Sequence, residues 1–424
     1  MTGPDPTLPS HAVRRQLLER FLPEEVYDSR EAFPSASVNE MLGDPNVELR
    51  RKDGTVIARP GPGVNDLNEA FFTAGGYRDG QPYDRFDHIA FPEQHHDYRA
   101  QARAMELAHP EYANVVYGHF AQDSTADKRF WLQYWYFMLY NDAQLLGQFG
   151  LHEGDWEMVQ FRLAGAGPDW TNAQIDLAVY AQHAYAQESE IADLSMSERG
   201  TPVAFSALGS HAHYFESGIF KTEGLWDVCD GRGPRPQQTL VYLDENPPGW
   251  LSWPGTWGGT LPGIPGIESN SPDGPERHRQ WQDPAYLPGL VRDPLSAQPA
   301  NPKRIKIRRD LRHHPQIEFD FEDLALPAMI PGQLIATISP ADNAALPATV
   351  AVRTADLLGG SVVLRQPLDP SVDYNVSVVW RDAANNQSDP VTAKLEHLPM
   401  SGTPVLRWIL YGLRRLLQVF TPKG

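Results

Sequence analysis

The sequence predicts a mainly β protein. It has an antiparallel β-sandwich core with long Gly/Pro/Trp-rich loops, a second small immunoglobulin-like β-sandwich, and a C-terminal amphipathic helix. Three observations carry this reading. Between 113 and 208, strand-forming segments follow one another across turns without alternating helices, which points to an antiparallel sheet rather than a parallel α/β one. Proline (38) and glycine (34) are abundant, so helices are interrupted and loops long. Over 333–397, short strands recur at regular spacing, which suits a small immunoglobulin-like or fibronectin-like module.

At 424 residues and 41% hydrophobic content, the chain can build two or three domains with real cores. The expected boundaries are 1–110 for a mixed N-terminal segment packed on the core, 111–320 for the main sandwich, 333–397 for the smaller one, and 403–421 for the helix. A net charge of −18 argues against a nucleic-acid partner. The local basic run 303–309 alternates, and reads as an edge strand with one solvated face. Cys229 is the only cysteine, so no intrachain disulfide forms. The polar, proline-rich first ten residues lack the apolar stretch of a secretory signal. No window reaches the roughly 18 apolar residues that span a bilayer. The expected location is cytoplasmic, with peripheral attachment to a membrane.

Taken in order, 11–21 forms a helix capped by Ser10, 39–42 a helical turn, 47–58 a hairpin around Asp53-Gly54, and 97–107 a second helix. Strands follow at 114–120, 130–140, 156–163, 175–183 and 201–208. The aromatic density of 130–140 marks a sheet core. Residues 244–300 cannot form long regular elements, but their tryptophans can pin them to the sandwich. In the tail, Val405, Trp408, Ile409, Leu413, Leu416 and Phe420 share one helical face, and Arg407, Arg414 and Arg415 stand outside it. Such a basic amphipathic helix lies in a membrane interface or docks on a protein, with Trp408, Arg407, Arg414 and Arg415 as the contact residues.

The chemistry concentrates in Gly150-Leu151-His152-Glu153-Gly154-Asp155-Trp156-Glu157. By strand alternation Asp155 and Glu157 share a face with Val159, Phe161 and Leu163, the face expected to be buried. Buried carboxylates are costly unless compensated. A divalent cation compensates them, with His152 swinging in from the preceding turn as a third ligand. The plainer alternative is that both acids face solvent and Trp156 is the core residue. Alternation puts His183 at a strand end on the face of Ile175, Leu177 and Val179. His211 and His213 are two apart, the spacing that points both the same way along a strand, with Gly209 as a bulge that re-aims them. The expected metal ligands are thus His152, Asp155, Glu157 and His183. Oxygen-rich ligation suits magnesium, calcium or manganese, and added imidazoles favour zinc or manganese. Glu153 and His211 are the candidate bases if a metal-bound water is activated. No dinucleotide, phosphate-loop, CxxC or GxSxG motif is present, and Ser210 before His211 is not a nucleophile elbow.

Several of these segments occur in a familiar order: 131–137, 150–157, 206–214, Trp257-Gly258, 271–275 and Trp281, preceded by Ala32-Phe33-Pro34-Ser35. That order resembles the vacuolar protein sorting-associated protein 62 family over about 20–290. The resemblance implies a sorting label and little defined chemistry. The Asp-Trp-Glu core is also similar to the heptapeptide of the necrosis- and ethylene-inducing-like proteins. That resemblance implies a β-sandwich with a divalent metal beside a membrane-lipid headgroup site. His152, Asp155 and Glu157 match its motif, His183 matches a later histidine, and Asn141-Asp142 falls near its upstream metal aspartate. The chain departs in carrying Gly154 before the aspartate and in lacking the family's disulfides and secretion signal, which implies an intracellular relative of the scaffold.

Three functions are consistent with the sequence: divalent-metal-dependent recognition of a lipid or glycan headgroup at a membrane, metal-dependent hydrolysis on the same residues, and a metal-free scaffold that docks a partner protein.

Overall fold

The computed structural model describes residues 8–58, 85–92, 97–143, 151–165, 170–221, 226–259, 271–292, 295–296, 302–309, 315–321, 332–341, 349–354, 360–363, 368–369, 371–382 and 387–396. It is mainly β with several sheets, and falls into two units, 1–296 and 297–424. The first opens with α1 (His11–Arg20), whose N-cap Ser10 Oγ accepts from the Val13 N–H at 3.4 Å. Then come β1 (Glu24–Val26), α2 (Asn39–Leu42), β2 (Glu48–Arg50), β3 (Val56–Ala58) and β4 (His88–Ala90). Next is α3 (Tyr98–Ala108), capped by Asp97, which accepts from the Ala100 N–H at 3.0 Å. A run of strands follows: β5 (Val115–Gln122), β6 (Phe130–Asn141), β7 (His152–Ala164), β8 (Gln174–Gln182) and β9 (Tyr185–Glu190). The unit finishes with β10 (Val203–Ser206), β11 (His213–Tyr214), β12 (Gly218–Lys221), β13 (Trp226–Cys229), β14 (Thr239–Tyr242), β15 (Thr256–Trp257) and β16 (Leu295–Ser296).

The central sheet has the order β14-β5-β6-β7-β8-β9, antiparallel except where β14 runs parallel to β5. β6 explains why it is central. Nearly every residue of the strand is buried, because both of its faces are apolar. Trp131, Trp135, Phe137 and Leu139 enter one cluster with Trp156 and Met158 of β7. Trp250, Trp253, Trp257 and Trp281 close that cluster, so the Gly/Pro/Trp-rich segment is held down by its indoles. Leu132, Tyr134, Tyr136 and Met138 enter the opposite cluster with Val159, Phe161 and Leu163 of β7 and with Leu17 and Leu18 of α1. Each fully buried large apolar side chain contributes about 1.5–3 kcal/mol. The small sheet β1-β10-β11 covers this second face, where Ala204 of β10 joins the cluster.

β7 is longer than the sequence suggests. Its pairing with β6 continues to Asn141↔His152, so His152 belongs to the strand and not to a preceding turn. Asp155 and Glu157 do share the face of Val159 and Phe161, yet Trp156 is core too, because both faces are covered.

The second unit holds β17 (Pro302–Arg309), β18 (Pro315–Phe321), β19 (Gly332–Pro340), β20 (Thr349–Thr354), β21 (Gly360–Val363), β22 (Tyr374–Asp382) and β23 (Val391–Leu395). They form two antiparallel sheets, β17-β18-β21 and β20-β19-β22-β23, with Leu334, Ile338, Val376, Val378 and Trp380 in the core of the latter. The basic run is an edge strand, with Lys303 in register with Asp320 and Lys306 with Glu318. Because β18 pairs with β21, residues 302–321 belong to this unit, whereas the sequence assigned 302–320 to the larger one. Among the described residues no helix is long and apolar enough to cross a membrane. The 403–421 segment, with Arg407, Trp408, Arg414 and Arg415, lies outside the described residues.

Candidate functional site

The site begins with a backbone feature. Gly154 has φ +60, and a Cβ there would stand 2.2 Å from the Trp257 carbonyl oxygen, so only glycine fits. At this point the carboxylates of β7 part company. Glu153 turns to the aromatic side. It accepts from the Tyr98 hydroxyl at 2.6 Å and from the N–H groups of Phe91 at 3.2 Å and Gly259 at 3.3 Å. Burial pushes its carboxyl up to about 7, against the pull of those donors.

Asp155 turns the other way. Its Oδ2 accepts from Asn141 Nδ2 at 3.1 Å and pairs with His211 Nδ1 at 2.8 Å. His211 is fully buried on a tight corner closed by the Ala207 N–H to Ala212 carbonyl bond at 3.0 Å, and has φ +57. Its Nε2 stands 3.5 Å from Glu31 Oε1 without hydrogen-bond geometry, so that contact is one of charge. Glu31 is itself anchored by the N–H groups of Ala32 (2.7 Å), Phe33 (2.8 Å) and Gly209 (2.8 Å). Burial opposes charge on both partners. Attraction wins: Glu31 is lowered to about 2, chiefly by His211, and the His211 imidazole is held well above its ordinary value by Glu31 and Asp155. Asp155 is lowered despite burial by His211, His152 and Asn141.

A second pair lies beside the first. His183, in the turn after β8 at φ +53, places Nε2 2.8 Å from Asp227 Oδ2. Asp227 also accepts from Ser210 Oγ at 2.5 Å and Tyr214 OH at 2.6 Å. Against burial, Asp227 raises the His183 imidazole to about 9, and His183 lowers Asp227.

Glu157 is close to both pairs and belongs to neither. It is 8% exposed and makes no hydrogen bond among the described residues. Burial, then the Asp155 charge, pushes its carboxyl well above the ordinary range, and His183 and His211 only partly offset this. The group thus holds three carboxylates (Glu31, Asp155, Asp227) against two imidazolium ions, with the Glu157 carboxyl beside them disfavoured as an anion. Nearby Asp142 is matched separately by Arg99 at 2.7 Å, although burial still raises it.

His152 lies toward the rim. Its Nδ1 is 2.7 Å from the Gly154 carbonyl, which can only accept, so Nδ1 carries the proton. Nε2 stands 3.9 Å from Asp155 Oδ1 and is the ring nitrogen that presents a lone pair whenever the imidazole is neutral. Ring orientation by a backbone carbonyl is how metal-binding histidines are commonly held. Among the described residues no group of three or more His, Cys, Asp or Glu side chains is placed to hold a metal ion. The set is therefore not a coordination shell as it stands, although carboxylate oxygens are the donor type that hard divalent cations take.

The fold brings together His152, Asp155, Glu157, His183 and His211 from the sequence reading. It does not bring Glu153, which points to the aromatic side, or His213. The spacing argument for His211 and His213 fails because His211 sits on a left-handed corner, not in a strand. His213 instead turns to Glu25, with Nε2 3.3 Å from its Oε1. Glu31, Ser210, Asp227 and Tyr214 escaped the sequence reading as site residues. Asp227 carried a signal, being an acid inside the apolar stretch Trp226-Asp227-Val228-Cys229, the argument that singled out Asp155. Glu31 carried only its place beside Ala32-Phe33-Pro34-Ser35.

No protein-family model matches the chain and no curated protein matches it, so the resemblance to the vacuolar protein sorting-associated protein 62 family rests on the sequence motifs. Among solved structures, NLPPya in complex with glucosamine is similar at 15% identity, over 58% of this chain and 78% of that one, with a TM-score of 0.28. A structure described as a toxin fold for microbial attack and plant defense is similar at 16% identity, over 57% and 77%, with a TM-score of 0.27. A family 76 glycoside hydrolase from a bovine Bacteroides thetaiotaomicron strain is similar at 14% identity, over 30% of this chain and 26% of that one, with a TM-score of 0.22. Necrosis- and ethylene-inducing-like toxin folds are thus among the structural neighbours, at a distance too great to assign chemistry.

Proposed function

We propose that the acid–histidine group binds one divalent cation and, through it, recognises an oxygen-rich lipid or glycan headgroup at a membrane surface. The observation that supports this is Glu157, a largely buried carboxyl with no hydrogen-bond partner among the described residues, whose ionisation is disfavoured by burial and by Asp155. Ionising it in that position calls for a counter-ion. Glu157 and Asp155 would hold the ion, with His152 Nε2 on the open side. His183 and His211 would serve as charge partners of Asp227, Asp155 and Glu31 rather than as ligands. Magnesium, calcium or manganese suits the carboxylates, and His152 widens the choice to zinc. When bound, the cation would supply a Lewis-acidic point for hydroxyl or phosphate oxygens.

In this reading the strands of the first unit form a sandwich, the second unit is an immunoglobulin-like module, and the basic 403–421 segment brings a cytoplasmic protein of the vacuolar protein sorting-associated protein 62 type to the bilayer. Recognition is favoured over hydrolysis because Glu153 is bonded to Tyr98, Phe91 and Gly259 away from the group, and His211 is clamped between two carboxylates. Neither is placed to accept a proton from a metal-bound water.

Elemental analysis of the purified protein beside Glu157→Gln tests the proposal. Near-stoichiometric divalent metal in the wild type and its loss in the variant are expected, followed by metal-dependent binding to anionic-lipid vesicles or immobilised glycans. No metal after reloading with magnesium, calcium, manganese or zinc would overturn it and leave the scaffold reading.

A further inference from the structure

Beneath the same sheet, between β6 and the small sheet β1-β10-β11, four buried polar atoms make no hydrogen bond of good geometry: Ser206 Oγ, His213 Nδ1, Gln238 Oε1 and Tyr136 OH, the last close enough to the Gln238 amide for that amide to pull its hydroxyl down against burial. They gather around one ion pair. His213 Nε2 faces Glu25 Oε1 at 3.3 Å, and Gln238 Nε2 donates to Glu25 Oε2 at 3.0 Å. The Tyr136 and His213 rings lie 4.7 Å apart, and Ser206 stands directly opposite His213 in the β10–β11 register. Glu25, Tyr136, Ser206 and His213 are each at most 1% exposed.

We infer that these groups enclose a buried hydration site holding at least one ordered water. Each orphaned polar group would otherwise cost about 1–3 kcal/mol, and buried polar groups in folded proteins are almost always satisfied by protein or by water. The chemistry selects water over an ion. Glu25 fixes the Gln238 amide with its nitrogen inward, so Oε1 is an acceptor. Tyr136 and Ser206 each offer a hydroxyl proton as well as a lone pair. His213 Nε2 faces the Glu25 carboxylate, and Nδ1 is the ring's second polar atom. Water answers every one of these demands, and two to four such partners hold a buried water in place. A cation would leave the hydroxyl protons without an acceptor.

The site has a consequence for the loop that follows β1. Glu25 also accepts from Tyr27 OH at 2.7 Å, and Tyr27 OH accepts from the Ser35 N–H at 2.9 Å. Those bonds close the segment that carries Glu31 to His211. The water is therefore part of the mount of that segment.

The test is a high-resolution crystal structure of the full chain together with the thermal midpoint of Tyr136→Phe. Density within hydrogen-bond distance of at least three of the four atoms, and a midpoint lowered by roughly 2 °C in the variant, are expected. Three outcomes would overturn the inference. One is an empty space with an unchanged or raised midpoint, since removing an unsatisfied hydroxyl stabilises. The second is direct bonding between Tyr136 and Gln238. The third is a peak with contacts of about 2.0–2.4 Å, which marks a metal ion.

Discussion

Glu153 and Glu157 are the same residue on the same strand, four positions apart, and they lie in opposite worlds. Both are more than nine-tenths buried. Glu153 sits on the aromatic side with three donors aimed at it. Glu157 sits on the other side with none, among other charges. The first is a carboxylate used as a structural acceptor, which ties β7 to α3, to Phe91 and to the Gly258–Gly259 turn. The second is a carboxylate the fold has not paired.

The largest expected effect falls on metal content. Glu157→Gln abolishes divalent-metal retention by elemental analysis, while its metal-free thermal midpoint is no lower than that of the wild type, because the amide replaces a carboxyl that burial already disfavours as an anion. A variant that retained metal would break the comparison from the Glu157 side. Gly154→Ala comes next. Its Cβ must displace the Trp257 backbone from a left-handed position, so denaturant unfolding should give a loss on the order of 3 kcal/mol. A loss below about 1 kcal/mol would mean that the strand has another way to turn Glu153 from Asp155.

Glu153→Gln sharpens the comparison by applying the same substitution to the paired carboxylate. An amide cannot accept on both ends from Tyr98, Phe91 and Gly259, so a loss of about 2 kcal/mol is expected in denaturant titration. Equal stability of the two glutamine variants would remove the distinction drawn between them. The last effect is one of pH and concerns a third buried acid. Burial, then Glu106 and Asp44, raises Glu40 to about 8 from an ordinary 4.5. The folded state keeps a proton that the unfolded chain releases, so stability falls as pH rises from 4.5 toward 8, by at most about 1.4 kcal/mol per pH unit. Glu40→Gln should flatten that slope in melts across the range and leave metal content unchanged, since only Glu106 and Asp44, and no member of the acid–histidine group, act on Glu40 beside burial. An unchanged slope would show that Glu40 is ionised in the fold.

Much of this was legible in the sequence. The aromatic run of β6, the alternation of β7 and the Asp53-Gly54 turn each follow from local pattern. Asp155 and Glu157 were legible as costly acids on a core-facing strand. What was hidden lies in non-local contacts and in backbone sign. Glu153 was read as a candidate base beside Asp155, and only the φ of Gly154 separates them. The two-residue spacing put His211 with His213, and only the corner at 207–212 parts them. Glu31 reaches His211 across 180 positions of chain, a distance no window can bridge. The 302–321 strands look like a continuation of the first unit until their register with 360–363 is known.

His183 and His211 share one more property, with Asn114 and Lys128. All four are non-glycine residues at positive φ, between 45° and 57°. Asparagine and histidine tolerate that region better than most residues, but glycine is the easiest occupant of all. At Lys128, on an exposed corner, selection for folding alone would welcome glycine. At His183 and His211 the same backbone preference runs against the need for a cation beside Asp227 and Asp155. A saturation library sorted first for expression and then for ligand capture would therefore read the four corners differently. Glycine would spread at 114 and 128 and vanish at 183 and 211, so the pattern of tolerated residues would outline the site without any knowledge of what it binds.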